Sequence, residues 1–183
     1  MMNKIIVCLL FFLVYCAQEL SSQSRFHIEV DYHYMFGLSE KGEIADFSRN
    51  EFKMYGNSLH LSGNYKLSEA WSTGIGIGSD RYENPGYNTF PVFATLQYFP
   101  LQTIPKGYVF TDVGYAFKTS TAVPGFLWNL GIGYKHMFRY HFGIKMQLGY
   151  NFKHLKNSLL DTDNMNFYSR YRHSFIIGMG VIF

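Results

Sequence analysis

The chain has 183 residues, of which 48% are hydrophobic and 16% are charged, and its formal net charge is +3. This length suits one domain, and so small a charge excess gives no reason to expect a nucleic-acid partner. Aromatic residues make up 19% of the chain, and they favour strands and gather at membrane interfaces. The composition therefore favours a single domain rich in β structure.

The first residues predict export from the cytoplasm. Lys4 precedes an apolar run over 5–15, and polar residues begin at Gln18, which is the order typical of a secretory signal peptide. The run is too short to span a bilayer as a permanent helix. We expect residues 1–17 to be removed, leaving residues 18–183 as one domain with a formal charge of +2.

Both cysteines, Cys8 and Cys16, lie inside this segment. The bulky Tyr15 stands where a lipoprotein signal has a small residue, which disfavours lipidation at Cys16. The mature chain is therefore expected to contain no thiol, disulfide or thiolate metal site.

Alternating polarity begins directly after the leader. In residues 26–36 every even position is apolar or aromatic, and four of the five odd positions are ionisable, as expected for a strand with one apolar and one polar face. The same alternation predicts seven more strands, near 51–66, 71–80, 90–99, 108–117, 126–135, 140–153 and 171–183.

These strands predict a closed membrane barrel. No segment after the leader reaches the roughly 18 consecutive apolar residues of a membrane-spanning helix, and strands in lipid must close on themselves because unpaired backbone groups are costly there. An eight-stranded barrel has an interior filled by side chains. The predicted fold class is all-β, an eight-stranded antiparallel up-and-down transmembrane β-barrel.

The polar faces are expected to line the interior. Ile144 and Leu148 then contact lipid, while Lys145 and Gln147 point inward, and inner glycines leave room for long basic side chains. Charges in a narrow interior must be paired, so Glu29 and Asp31 are expected to meet bases such as Lys145 and Arg172. The full inner set has four acids and four bases: Glu29, Asp31, Asp80, Asp112, Lys145, Lys153, Arg170 and Arg172.

The connections are expected to separate outer loops from periplasmic turns. The longer polar segments 37–50, 81–89, 118–125 and 154–166 are predicted to be outer loops, and the other connections periplasmic turns. An even number of strands places both termini on the periplasmic side.

A soluble, lipocalin-like barrel in the periplasm, with its apolar face turned inward around a ligand, would show the same alternation. The last strand favours the membrane reading, because its apolar face carries Phe175, Ile177, Met179 and Val181 and ends on Phe183. Together with the leader and the eight alternating segments, it resembles the outer-membrane β-barrel family, in the size class of the OmpA and OmpX barrels. The resemblance implies a location in the bacterial outer membrane and recognition of the last strand by the barrel insertion machinery.

Signals of chemistry are weak. The run Gly74-Ile75-Gly76-Ile77-Gly78 lacks the Lys and Ser or Thr of a phosphate loop and indicates packing. His60 and Ser62 share a face with the acids Glu29, Asp31 and Asp112, which leaves a lipid A-modifying hydrolase as a minor alternative. Four inner histidines, His27, His33, His60 and His141, lack a compact ligand spacing. We therefore predict no catalytic, cofactor-binding or metal-binding residues.

Three functions remain open. The preferred one is a non-enzymatic structural or surface-interaction protein whose outer loops meet an extracellular partner. The second is a barrel that binds or passes a small solute, and the third is the hydrolase. The expected partners are outer-membrane lipid, the insertion machinery and the unidentified loop partner.

Overall fold

The computed structural model describes residues 25–42, 46–51, 53–84, 86–100, 106–139, 142–161 and 164–183. The predicted signal peptide, residues 1–17, and His141 lie outside this part of the chain. Eight long strands form the wall of a barrel: β1 (Phe26–Gly42), β2 (Tyr55–Lys66), β3 (Trp71–Glu83), β4 (Pro91–Tyr98), β5 (Gly107–Ala116), β6 (Gly125–Arg139), β7 (Phe142–Asp161) and β8 (Asn164–Ile182).

Every strand runs antiparallel to its neighbours in the chain, and β8 pairs with β1 to close the sheet. The Ile28 and Phe183 backbones exchange two hydrogen bonds of 3.0 and 2.8 Å at this seam. The predicted up-and-down barrel is confirmed, and closure removes the open edges that lipid does not tolerate. The described residues contain no helix that is long and apolar enough to cross a membrane.

Outward-facing side chains form an apolar surface around the barrel. The most exposed are Ile75, Met179 and Met146, at 74%, 63% and 61%. Inward-facing charged groups are instead buried, and Lys153 and Arg172 have no exposure. The predicted facing is therefore correct, and a continuous apolar exterior belongs in lipid, which excludes the lipocalin-like arrangement.

Two of the predicted outer loops are wrong in large part. Segment 37–50 contains the end of β1 and a short paired segment, Phe47–Ser48, and segment 154–166 is mostly strand because β7 and β8 are joined by only two residues. Above the membrane both faces of a strand meet water, so the chain keeps its pairing but loses the alternation that reveals a strand. The β3–β4 connection likewise holds a short segment, Tyr87–Thr89, paired with β3.

A β-bulge changes the facing of the outer part of β1. The pairing with β8 shifts register between Gly37 and Ser39, so the inward positions pass from Gly37 to Glu40 instead of keeping strict alternation. An extra residue in one strand has this effect because the period of side-chain facing is two. Glu40 therefore points into the barrel with no exposure.

Leu148→Arg tests the facing and depth of the wall. Leu148 is 43% exposed and pairs with Ile132 and Ile177 in the neighbouring strands. A cation near the bilayer midplane costs roughly 2–4 kcal/mol, and about 0–1 kcal/mol near the interface. We expect this variant to lower the amount of heat-modifiable, folded protein in membranes severalfold.

Phe117→Arg is the matched control, because Phe117 is also apolar and exposed but lies just beyond the loop end of β5. Its folded amount should stay close to that of the parent protein. Equal losses in the two variants would contradict the placement of Leu148 at mid-depth.

Candidate functional site

The periplasmic third of the lumen holds two carboxylates and two ammonium groups. Glu29 accepts hydrogen bonds from Lys135 at 2.5 Å and from Lys145, and Lys145 also lies 2.7 Å from Asp31. Gln97 accepts a 2.7 Å bond from Lys135 and donates a 3.4 Å bond to Glu29. The charges of this inner layer cancel, which is what a narrow, buried interior requires.

A second layer is centred on Asp80 at mid-depth. One oxygen of Asp80 lies 2.8 Å from His60 Nε2, and the other accepts bonds from Lys153 at 2.9 Å and from Thr89 at 3.1 Å. Asp80 and Lys153 form a neutral pair with almost no exposure. Both oxygens of the carboxylate are thus satisfied, and this middle layer ties β2, β3 and β7 together.

The outer layer is built around the fully buried Arg172. Its guanidinium donates to Glu40 at 3.3 Å and lies 5.1 Å from the ring centre of Tyr82. Arg170 donates to the second oxygen of Glu40 at 3.3 Å, and Tyr87 donates to Glu40 at 2.9 Å. Because Arg172 also donates to the backbone carbonyls of two strands, this layer closes the lumen at its outer end.

The sequence identified most of these charged residues but not all of their pairings. Lys145 meets both Glu29 and Asp31 as predicted. The predicted pairing of these acids with Arg172 is wrong, because Arg172 lies in the outer layer with Glu40. Glu40 was missed because only the bulge turns it inward.

Lys135 was placed on a polar face by the alternation but was not assigned to the charge network. Its contacts with Glu29 and Gln97 depend on the register across several strands, which a single strand's pattern does not report.

An aromatic and apolar cluster shares the lumen with the charges. Met35, Tyr82, Tyr108, Phe110 and Ile176 contact one another there, each with at most 2% exposure. These residues are missing from the predicted interior set, although each lies in phase with the inner polar positions of its strand. Their position in the alternation of each strand identifies them as inward-facing. Their hydrophobicity alone would place them on the lipid-facing side.

Two inner glycines make room for histidine rings. A Cβ atom at Gly78 would collide with the ring of His60, and one at Gly178 would collide with that of His33. At Gly180 a Cβ would collide with the Asp31 carboxylate and would lie 3.0 Å from Lys145, so the predicted role of glycine in leaving space for basic chains extends there to the acid–base pair. Small residues thus accommodate both kinds of large side chain.

The candidate catalytic residues do not assemble into a triad. Ser62 accepts a 3.0 Å hydrogen bond from Asn64, and the acid beside His60 is Asp80 rather than Glu29, Asp31 or Asp112. Another inner histidine, His33, forms hydrogen bonds with Ser58 and with Gln147. The serine-bonded and acid-bonded histidines are therefore different residues.

The cavities at the two ends of the barrel are larger than the cavity at mid-depth. The cavity between His33, His60 and Lys145 has a volume of about 10 Å³, close to the minimum for one water molecule. A cup of about 220 Å³ opens at the periplasmic end around Phe99 and Lys135, and a cleft of about 370 Å³ opens among the outer connections. Among the described residues, no group of three or more His, Cys, Asp or Glu is arranged to hold a metal ion.

Two solved outer-membrane proteins are similar in structure to this chain. Neisserial surface protein A is similar with a TM-score of 0.50 and 12% identity, over 86% of this chain and 95% of that one. OprG from Pseudomonas aeruginosa matches with a TM-score of 0.43 and 15% identity over the same shares. No protein-family model and no curated protein matches the sequence.

The closed sheet, the apolar exterior and the polar, buried interior define the class: a β-barrel of the bacterial outer membrane. Within that class the chain is one of the small eight-stranded barrels, as the resemblance to the OmpA and OmpX size class predicted.

Lys145→Met tests the inner charge layer. Removing one partner from a buried pair destabilises a protein by about 3–5 kcal/mol because the other charge stays unpaired, and Lys145 serves both Glu29 and Asp31. We expect a clearly lower urea midpoint in detergent. Arg81→Met is the control, since the Arg81–Glu83 pair is exposed and its loss should shift the midpoint little.

Adding Asp31→Asn to Lys145→Met should recover part of the lost stability, because it removes one unpaired carboxylate. A midpoint unchanged by Lys145→Met would contradict an energetically important inner layer.

Proposed function

We propose that this protein is a non-channel barrel with a structural or surface-interaction role in the outer membrane. The observation that carries the proposal is the stack of three charge layers across the lumen, each bridging strands on different sides of the barrel. A single side chain, that of Arg172 on β8, contacts Glu40 on β1 and the backbone carbonyls of Tyr55 on β2 and Glu83 on β3. A side-chain plug of this kind stabilises the wall and leaves the outer end as the surface available to partners.

The outer end supports the second part of the proposal. β7 and β8 continue to pair beyond Leu155, the last β7 residue paired with β6. The six additional pairs, from Lys156 with Ser169 to Asp161 with Asn164, extend the hairpin by about 20 Å at the rise of a strand. Loops that a rigid scaffold holds in position are common sites of contact between a protein and its environment.

A solute-binding or transport role is the second candidate, and the periplasmic cup favours it. The cup has apolar walls at Phe99, Met137 and Ile182. Its charged lining residues are Lys66, Lys106, Lys135 and Glu69, so bases outnumber acids, a combination suited to small amphipathic anions. Passage from this cup would require the inner layer of Glu29 and its lysines to separate.

Planar-bilayer recording distinguishes the two candidates. We expect the purified, refolded protein to show no large, steady conductance, because the charge layers fill the lumen. An open porin reconstituted in parallel verifies insertion and detection. A stable conductance on the scale of that porin would overturn the plug and favour transport.

We also propose that the protein does not modify lipid A. The serine-bonded histidine His33 and the acid-bonded histidine His60 are separate residues with 3% exposure each. Deletion of the protein should leave the mass spectrum of cellular lipid A unchanged. The hydrolase would be supported instead if deletion changed the mass of lipid A and the parent protein, but not a His60→Gln variant, returned it to the original value.

A last part of the proposal concerns assembly through β8. The Phe183 backbone pairs with Ile28 at the seam, and its ring lies 6.2 Å from that of Phe142. We expect Phe183→Ser to refold in detergent with nearly the parent yield, because the ring is not part of the hydrogen-bond ladder. Less of it should reach the outer membrane in cells, since the insertion machinery is proposed to recognise this ring.

The ratio of membrane-assembled protein in cells to refolded protein in vitro measures this effect. A ratio equal to that of the parent protein would remove Phe183 from the insertion signal.

A further inference from the structure

A cleft of about 370 Å³ opens at the outer end of the barrel, and we call it the outer cleft. It lies between the β3–β4 connection and the β5–β6 connection, with β7 at one side. Its lining includes the basic residues Arg81, Lys118 and Lys156, the polar residue Asn88 and the polar run 119–121. A volume in the range of roughly 300–1,000 Å³ is typical of clefts that bind small ligands.

Backbone hydrogen bonds hold the walls of the outer cleft together. Val123 N donates to Asn88 O at 2.9 Å and joins the two connections, and Lys156 N donates to Pro124 O at 3.0 Å and joins the second connection to β7. A further bond of 3.2 Å from Thr119 to Ala122 shapes the turn between them. Binding at this cleft would therefore require little ordering of its walls, which favours affinity.

The outer cleft is positively charged. Arg81, Lys118 and Lys156 contribute cations, and none of the described lining residues carries a negative charge. Glu83 lies nearby and bonds to Arg81 at 2.8 Å, and Asn88 accepts a further 3.1 Å bond from Arg81. These two contacts fix the orientation of the guanidinium.

The remaining wall is rich in groups that form hydrogen bonds with sugars. Thr119, Ser120 and Thr121 are consecutive, and all three are exposed residues of the cleft. Hydroxyl side chains both donate and accept hydrogen bonds, which matches the mixed character of sugar hydroxyls. Cations beside them supply the charge-assisted bonds that a phosphate group favours.

We propose that the outer cleft binds a phosphorylated sugar, with Lys118 and Lys156 at the phosphate and the 119–121 hydroxyls at the sugar ring. This inference rests on the proposed role of the outer end as an interaction surface and names the chemistry that the surface recognises. Two sources share that chemistry: the phosphorylated sugars of lipopolysaccharide in the surrounding outer leaflet, and a soluble sugar phosphate from outside the cell.

The test titrates the purified full-length barrel in detergent with glucose 6-phosphate and, separately, with glucose, by isothermal titration calorimetry. A second arm measures binding of purified lipopolysaccharide before and after enzymatic removal of its phosphates. Binding of glucose 6-phosphate indicates a soluble ligand, and binding of phosphorylated lipopolysaccharide alone indicates the membrane source. Either result, with no comparable binding of the phosphate-free form, supports the proposal.

The double variant Lys118→Gln with Lys156→Gln should weaken that binding at least about tenfold, because it removes both charge-assisted hydrogen bonds to the phosphate. Lys53→Gln removes an exposed cation on another outer connection and should leave the affinity unchanged. Both variants should keep the heat-modifiable band of the folded barrel, since the altered side chains lie outside the lumen.

Equal binding of the phosphate-free form, equal affinity in the double variant, or no binding of either phosphorylated probe would overturn the proposal. The planar-bilayer result is independent of these outcomes. A negative result for ligand binding at the outer cleft would therefore not contradict the proposed non-channel role.

Discussion

Pairing of buried charge is the constraint on which the arrangement of this barrel depends. A closed sheet of eight strands turns one face of every strand into a narrow interior, and each charge there must find a partner because isolated charges are very costly away from water. Glu29 on β1 therefore meets Lys145 on β7, across 116 positions of sequence. Such contacts link distant strands in three dimensions, whereas the backbone ladder links only adjacent ones.

Facing could be predicted from the sequence because it depends on a local period, and pairing could not because it depends on register across the whole sheet. The alternation placed Asp31, Lys145 and Arg172 in the lumen correctly, yet it did not indicate that Arg172 sits a layer above the other two. Aromatic residues such as Tyr108 were overlooked because hydrophobicity alone suggests lipid. The end of β7 was read as a loop because strands surrounded by water on both faces lose the apolar half of the pattern.

The two ends of the barrel follow from the same constraint in different ways. The cavity at mid-depth has a volume of only about 10 Å³, because paired side chains fill the lumen there. Ligands of any size could therefore bind only at the two rims of the barrel. At the periplasmic rim, side chains that include Phe99 and Lys106 line a cup. At the outer rim, connections joined by backbone bonds such as Val123 to Asn88 surround a polar, cationic cleft. The wall between them acts as a rigid support.

The bulge in β1 makes the charge at the outer end a question of parity. Without the bulge, strict alternation from Gly37 onward would send Lys41 inward beside Arg172 and turn Glu40 toward the exterior. The extra residue at the bulge reverses this assignment and brings a carboxylate to the guanidinium. Gly37 and Glu40 are three positions apart, so removing Leu38 or adding one residue between them would make the separation even and leave Glu40 inside a strand without a bulge. Adding two residues would keep the separation odd and would still need the bulge. Single-residue changes of length at this point are therefore expected in variants that lack the bulge, and two-residue insertions in variants that retain it.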